Sequence, residues 1–128
     1  MTAVGDPGPF ATHLGFRVVR ADAEGAVVEA TPGPEHVNGG GILHGGYLNA
    51  LLDSATGWAV HATGAGVVAP HVQLSTQFVR AGAPGRPLVC VATCISSGRR
   101  IAMTEGEITQ DGRVIARATG THAVIARD

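Results

Sequence analysis

The sequence predicts one α+β domain in which a single long helix packs against an antiparallel β-sheet. The chain has 128 residues, a length that suits one domain and is too short for two. One stretch, residues 46–62, has a convincing helical pattern, and four strand-like runs with intervening turn signals follow it. A helix followed by a meander of strands is typical of a sheet packed on that helix.

Two short strands are predicted before the helix, at residues 16–20 and 26–31, with a turn around residues 23–25. The segment TPGPEHVNGGG that follows is predicted to be a loop by its proline and glycine content. We expect residues 1–13 to form a loosely ordered N-terminal segment of the single domain, residues 1–128.

The predicted helix is apolar around most of its circumference, as expected of a helix wrapped by a sheet. Its apolar positions at helical spacing are Leu48, Leu51, Leu52, Ala55, Trp58, Ala59 and Ala62. One narrow stripe differs and consists of Asn49, Asp53, Thr56 and Gly57. A solvated face is the ordinary explanation of a lone helical carboxylate. This stripe lacks Lys, Arg and Glu, however, and a glycine-rich loop precedes the helix, which favours a chemical role for Asp53.

After the segment TGAG, the strand-like runs are residues 69–80, 87–96, 101–109 and 113–125. AGAPGR, SSGRR and QDG separate them, and the last is a hairpin turn signal. Strict alternation along the first run places His71 on one face and Val72 and Leu74 on the other. His71 then shares its face with Gln73, Ser75 and Gln77.

Composition favours association and excludes a nucleic-acid partner. Charged residues make up 15% of the chain and hydrophobic residues 45%, so a small domain has difficulty covering its apolar surface alone, and we expect a homo-oligomer. The formal charge of −1 gives no electrostatic footprint for nucleic acid. All nine basic residues are arginine, so any phosphate contacts would come from planar guanidinium groups.

No targeting or membrane-spanning segment is recognisable, and we expect a cytoplasmic protein without membrane contact. The N-terminus MTAVGDPGPFATHLG lacks a basic region followed by an apolar one, and no run of about 18 apolar residues occurs. The two cysteines, Cys90 and Cys94, are predicted to be buried free thiols. The six histidines show no metal-ligand spacing, so no metal and no other cofactor is expected.

The glycine-rich loop and the helix start suggest an oxyanion site. A helix N-terminus leaves backbone N–H groups unpaired and carries partial positive charge, and glycine lets a ligand approach closely. Such a start can hold a phosphate or the oxyanion of acyl transfer, but a P-loop needs a lysine that this chain lacks. Asp53 lies about 12 Å along the helix from Gly45, at 1.5 Å per residue. Within one subunit this distance is too long for both groups to act easily on one thioester. If two subunits face each other, the helix start of one can lie next to the carboxylate of the other.

These residues resemble a known family. Asn38, Gly41, His44-Gly45-Gly46 and Asp53, at this spacing, are similar to the motif of hotdog-fold acyl-CoA thioesterases of the phenylacetate-pathway (PaaI-like) type. The segments LSTQFVRAGAPGRPL, SSGRRIAMTEGEI and QDGRVIARATGTHAV also resemble the family, so the similarity extends from about Leu14 onward.

The resemblance implies a hotdog fold, with a central helix wrapped by a curved antiparallel sheet of five to six strands, and an active site shared between subunits. The Gly45 N–H would polarise the thioester carbonyl, Asp53 would act as general base or nucleophile, and Asn38 would orient water or thioester. His44 would hold the loop geometry. Residues that would line the substrate site with it are Gly46, Thr56 and His71, and the arginines that would meet the phosphates of coenzyme A are Arg80, Arg99 and Arg100.

Two positions depart from the family. Arg80 is followed by Ala81 where relatives often have proline, which affects only the turn. His71 stands where relatives commonly place Ser or Thr. Two readings of His71 stay open: an exposed strand histidine, or a histidine that lines the site and bonds to Asp53.

The leading hypothesis is hydrolysis of an acyl-CoA thioester. The alternative from another class is a non-catalytic acyl-CoA-binding hotdog protein, which would not need Asp53. A hydratase of the same fold would need an Asp and His in a different loop motif, which is absent. The sequence does not identify the acyl group.

Overall fold

A computed structural model describes residues 3–64 and 67–126, in which one long helix lies across a six-stranded sheet. The elements in chain order are α1 (Pro9–His13), β1 (Arg17–Asp22), β2 (Gly25–Ala30), a 3-10 turn (Pro34–His36), α2 (Gly45–His61), β3 (Val67–Val68), β4 (His71–Phe78), β5 (Leu88–Ser97), β6 (Ile101–Gln110), β7 (Arg113–Ala123) and β8 (Ile125–Ala126). The predicted hotdog architecture is confirmed. Residues 65–66 of the predicted TGAG loop and residues 1–2 of the N-terminal segment lie outside the described residues.

The sheet is antiparallel in the order β1-β2-β5-β6-β7-β4. β5, β6 and β7 follow one another as a meander, and β4 joins the far side of β7. This order makes β1 and β4 the two edges of the six-stranded sheet. The predicted last strand ends at Ala123, and β8 then pairs with β3 in a separate two-stranded ribbon.

Helix α2 supplies the centre of the core. Its buried side chains include Leu48, Leu51, Leu52, Ala55 and Ala59, which pack against all six strands of the large sheet. Leu51 and Leu52 are fully buried, and each such burial stabilises the fold by about 1.5–3 kcal/mol. The helix is apolar around most of its circumference because the sheet encloses it on most sides.

The β6–β7 turn confirms the hairpin signal in QDG. Asp111 has φ 52° and Gly112 has φ 76°, the two positive values of a type I′ turn, whose twist matches that of the flanking strands. Gly25 also requires glycine, because it has φ 139° and an added Cβ would lie 2.3 Å from the Ala92 carbonyl oxygen.

The described part of the N-terminal segment contains a short helix. Residues 9–13 form α1, with Ala11 buried, and the Val4 N–H donates to the Val18 carbonyl at 2.7 Å. Gly5 packs directly against the Trp58 ring, where an added Cβ would lie 2.6 Å from a ring carbon. The segment is held by one backbone bond and an aromatic contact, which leave no periodic signal in the sequence.

The predicted faces of β4 are wrong at the start of the strand. His71 pairs with His122 and Gln73 with Thr121, so an irregularity at Val72 shifts the register. A bulge adds one residue and reverses the alternation beyond it. His71 therefore shares the helix-facing side with Leu74 and Thr76, not with Gln73, Ser75 and Gln77.

Three further observations concern the cysteines, the apolar helices and the metal-ligating side chains of the described residues. Cys90 and Cys94 are both free thiols, but only Cys90 is buried, whereas Cys94 is half-buried. Among the helices described, none is long and apolar enough to cross a membrane. Within the same residues, no group of three or more His, Cys, Asp or Glu side chains is arranged to hold a metal ion.

Candidate active site

The uncharged stripe of α2 faces β4. Thr76 on β4 donates a hydrogen bond to the Asn49 side-chain oxygen. One to two turns further along the helix, the Thr56 hydroxyl lies 2.7 Å from His71 Nε2. An added Cβ on Gly57 would lie 3.9 Å from the His71 ring. The stripe is therefore small and polar because a strand with polar side chains lies against it, and Thr56 is fully buried there.

Asp53 on this stripe contacts His71. The distance from His71 Nδ1 to Asp53 Oδ2 is 3.3 Å, with the imidazole side chain 14% exposed and the carboxylate 59% exposed. The interpretation of His71 as an exposed strand residue is wrong, because the ring is inserted between helix and sheet. The carboxylate keeps an open side toward solvent, as a group that acts on a bound molecule needs.

Opposing influences act on the His71 imidazole. Burial lowers the pKa of His71 below its usual value, the Asp53 carboxylate raises it, and His122 lowers it further, with a net lowering. A pKa below the ordinary histidine value of about 6.5 keeps His71 uncharged at neutral pH. A neutral imidazole with its proton on Nδ1 presents an N–H to Asp53 and a lone pair to Thr56.

Asp53 and His71 lie in an open groove of about 470 Å³. One wall belongs to the N-terminal segment, through Asp6, Pro7 and Gly8, and the opposite wall to the residues before β4. The other lining residues are Ser54, Gly57, Trp58, His61, Val68, Ala69 and Pro70. The groove combines one carboxylate and one imidazole with apolar surface from prolines and a tryptophan.

The start of α2 is capped by His44. Its Nδ1 accepts a hydrogen bond from the Gly46 N–H at 2.8 Å, the position that an Asn or Asp side-chain oxygen takes in an ordinary N-cap. The Gly46 N–H is therefore already hydrogen-bonded within the loop. The Gly45 N–H has no acceptor among the described residues, and Gly45 packs against the Phe78 ring. Gly45 therefore offers the donor that the resemblance assigns to it.

Asn38 organises the glycine loop. Its side-chain oxygen accepts from the Gly40 N–H at 2.9 Å and from the Ile42 N–H at 3.4 Å. Gly41 in this loop has φ 82°, a conformation that favours glycine. The bonds to the oxygen leave the Asn38 amide nitrogen as the group that can donate to a ligand.

One protomer does not bring all the predicted site residues together. Gly45 lies by Phe78 at the end of β4, whereas Asp53 lies by His71 at its start. Arg80, whose guanidinium donates to the Val114 carbonyl at 3.0 Å, is also at the Phe78 end.

Arg99 and Arg100 lie in the exposed β5–β6 turn at the opposite end, near the Ile101–Ala123 pair. The two ends, marked on β7 by residues 115 and 122, are about 23 Å apart at 3.3 Å per residue.

Comparison with known proteins establishes the family. The sequence profile of the Thioesterase superfamily matches residues 40–116, which is more than half of the chain. The chain belongs to the thioesterase superfamily, and the predicted family is confirmed.

Individual relatives agree with the PaaI-like resemblance. Escherichia coli acyl-coenzyme A thioesterase PaaI is 30% identical over 111 residues, covering 86% of this chain and 78% of PaaI. An uncharacterized Mycobacterium tuberculosis protein is 31% identical over 118 residues, and the match covers 91% of this chain but 38% of that protein. The chain thus spans well under half the length of its mycobacterial relatives.

Solved structures share the whole fold. The E. coli PaaI structure has a TM-score of 0.87 at 27% identity and covers 92% of this chain and 85% of its own. A hypothetical thioesterase from Streptococcus pneumoniae, solved with coenzyme A, has a TM-score of 0.85 at 26% identity, covering 91% and 92%.

Two features of the site escaped the sequence analysis. The buried His122 packs beside His71 with ring centroids 4.1 Å apart, and the N-terminal segment forms a wall of the groove. The pairing of the two histidines depends on the β4–β7 register, which no local pattern encodes. The sequence itself shows only that His122 lies within the predicted strand 113–125.

Proposed function

We propose that the protein hydrolyses an acyl-CoA thioester, with Asp53 as general base or nucleophile and the Gly45 N–H as oxyanion donor. The observation that carries this proposal is the contact between the exposed Asp53 carboxylate and the neutral imidazole of His71. Membership of the thioesterase superfamily and the similarity to PaaI support the reaction class. The solved relative that contains coenzyme A supports the substrate class.

The chemistry requires a water or carboxylate attack on the thioester carbonyl carbon. As general base, Asp53 takes a proton from water while the carbonyl oxygen becomes an oxyanion at the Gly45 N–H. Collapse of the tetrahedral intermediate expels the coenzyme A thiolate, which recovers the proton. As nucleophile, Asp53 displaces the coenzyme A thiolate to form a mixed anhydride, and the water that hydrolyses this anhydride supplies the proton that the thiolate takes up. His71 orients one carboxylate oxygen, and the Asn38 amide nitrogen is placed to orient water or the thioester.

We infer that the working unit is a homo-oligomer in which two copies of β4 pair along their edges. β4 is an edge strand that exposes Val72, Phe78 and Val79, and an apolar unpaired edge favours pairing with another chain. A two-fold axis through the middle of an antiparallel strand pair sets the Phe78 end of one copy beside the His71 end of the other.

That pairing would join Gly45 of one protomer to Asp53 of its partner. It would also bring Arg80 toward the partner's end that carries the β5–β6 turn, where Arg99 and Arg100 lie. Three guanidinium groups from two protomers then suit the phosphates of coenzyme A. The separation of these residues within one protomer is what supports the shared site.

The proposed roles are tested by a panel of acyl-CoA esters with release of the coenzyme A thiol as readout. Asp53→Asn should lower kcat by about 100-fold or more, the lower end for a lost general base. Gly45→Pro removes the N–H and adds a side chain with little change in the backbone, because proline is well tolerated at the first position of a helix and His44 already has the extended conformation that precedes proline. It should lower kcat by about 100-fold to 1000-fold.

Gly45→Ala is the matched control, since it adds the same Cβ against Phe78 but keeps the N–H. It should stay within a few-fold of the parent enzyme. Acyl-CoA binding without turnover by the parent protein would instead support a non-catalytic acyl-CoA-binding function. Equal losses in the Pro and Ala variants would remove Gly45 from the mechanism.

A further inference from the structure

His122 is a fully buried polar side chain next to the site. It is 0% exposed and lies on β7 beside His71 of β4. Burying an imidazole is costly unless its polar atoms are hydrogen-bonded. Both nitrogens have partners: Nδ1 lies 3.1 Å from the Ala69 carbonyl oxygen, and Nε2 lies 2.7 Å from the Thr104 hydroxyl.

The Ala69 partner fixes a proton on Nδ1 of His122. A carbonyl oxygen only accepts, so Nδ1 of His122 carries the proton, whereas the Thr104 hydroxyl can donate to Nε2. The neutral Nδ1–H form therefore satisfies every polar atom without placing a buried charge in the sheet. Gly120 provides the space, because an added Cβ would lie 2.8 Å from the Thr104 oxygen and 3.2 Å from His122 Nε2.

His122 lies directly behind His71. The two residues are paired across β4 and β7 at the bulge, and their rings are 4.1 Å apart at 46°. The Nδ1 bond of His122 to Ala69 also holds the backbone immediately before β4. His122 thus fixes both the strand entry and the ring face against which His71 packs.

We propose that His122, held by Thr104 and Ala69, is a positioning residue of the thioesterase site that keeps His71 seated against Asp53. The inference rests on the proposed role of Asp53. His122 touches no substrate and acts through His71, because its ring covers one side of the His71 imidazole. This burial disfavours a charged His71. A neutral His71 presents its Nδ1–H to Asp53 while the Thr56 hydroxyl donates to Nε2.

The direction of the Thr56 hydroxyl hydrogen bond depends on the protonation state of His71. Its oxygen is 2.7 Å from both the Leu52 carbonyl and His71 Nε2, and it has one proton to give. With neutral His71 the proton goes to Nε2. With cationic His71 the Nε2–H donates to Thr56, and the hydroxyl turns to Leu52. The groups that face or share the groove with His71 are Asp53 and His61 on α2, His122 on β7 and Asp6 in the N-terminal segment.

The test is an NMR titration of the imidazole nitrogens in the full-length, substrate-free protein, with resonances assigned through His71→Gln and His61→Gln. In the parent, the neutral imidazole of His122 should carry its proton on Nδ1, which faces the Ala69 carbonyl. His122→Asn retains a donor to Ala69 but loses the ring that covers His71, so the pKa of His71 should rise, because burial is the largest influence that lowers it.

Kinetics supply the second readout. His122→Asn should lower kcat by about ten-fold, since small misplacements of catalytic groups cost up to about 100-fold, and should move the acid limb of the kcat profile to higher pH. His13→Asn, in the exposed part of α1, is the control that changes neither.

Two results would overturn the inference: a His122 proton on Nε2 in the parent, or an unmoved His71 titration in His122→Asn. The parent spectrum decides this even if the variant does not fold. The titrations need no substrate, so their outcome does not depend on the proposed role of Asp53. That role is contradicted separately if Asp53→Asn remains active.

Discussion

His71 Nδ1 lies 3.3 Å from Asp53 Oδ2, across the junction between the central helix and the edge strand of the sheet. This contact joins the only carboxylate of α2 to an imidazole whose pKa is lowered by burial. A charge interrupts the otherwise apolar helix at a position that lines the groove, where the carboxylate side chain is 59% exposed. The site is thus built at an edge of the core and not inside it.

The pH dependence of hydrolysis should report His71. Its pKa is lowered in the folded protein, so the acid limb of the kcat profile is expected below about 6.5, the ordinary histidine value. Neutral His71 is the working form, and activity is lost as pH falls through its folded pKa. His71→Ser should remain active without this inflection.

His71→Leu should lose more activity than His71→Ser, because an apolar group next to Asp53 offers no hydrogen bond. The measurement is kcat against pH for the parent and both variants. Three superimposable profiles would show that His71 takes no part in the reaction.

The cap at the start of α2 should be replaceable by another acceptor. His44→Ala removes the bond to the Gly46 N–H and should reduce the free energy of unfolding by about 1 kcal/mol. His44→Asn places an oxygen in a comparable position and should restore most of that loss. Urea unfolding measures the stability, and kcat measured in parallel should survive in His44→Asn. A large loss of kcat in a fully stable Asn variant would instead indicate proton transfer by His44.

The two thiols should differ in reactivity. Burial raises the pKa of the Cys90 thiol to about 12, whereas Cys94 is half-buried next to the irregularity in β5. A thiolate is the reactive form, so a thiol reagent should modify one cysteine per folded chain and both in denaturant. Cys94→Ser should remove the modification seen in the folded protein, as measured by mass spectrometry. Modification of Cys90 at an equal rate in the folded chain would contradict this burial.

The sequence predicts the parts of this fold that local patterns encode. The helical spacing of Leu48 and Leu51 gives α2 to within one residue at each end, and the Asp111-Gly112 pair gives the β6–β7 turn. The spacing from Asn38 to Asp53 predicts the family, and the match to the Thioesterase superfamily confirms it.

The rest depends on pairing between distant strands. The bulge at Val72 reverses the direction of His71, and alternation alone places that ring on the wrong face. The contact between His122 and His71 can be predicted only when the β4–β7 register is known. The order of the N-terminal segment depends on the contact of Gly5 with Trp58, which has no periodicity to detect.

The shared active site is tested most directly by complementation between two inactive variants. Asp53→Asn and Gly45→Pro are each assayed alone, then unfolded together in equal amounts and refolded. In a mixed pair, one site receives an intact Gly45 from the first chain and an intact Asp53 from the second. Random pairing makes half of the pairs mixed, each with one intact site of two, so about a quarter of the parent activity should return. No return of activity, from mixed pairs whose formation is verified with distinguishable tags, would contradict a site shared between protomers.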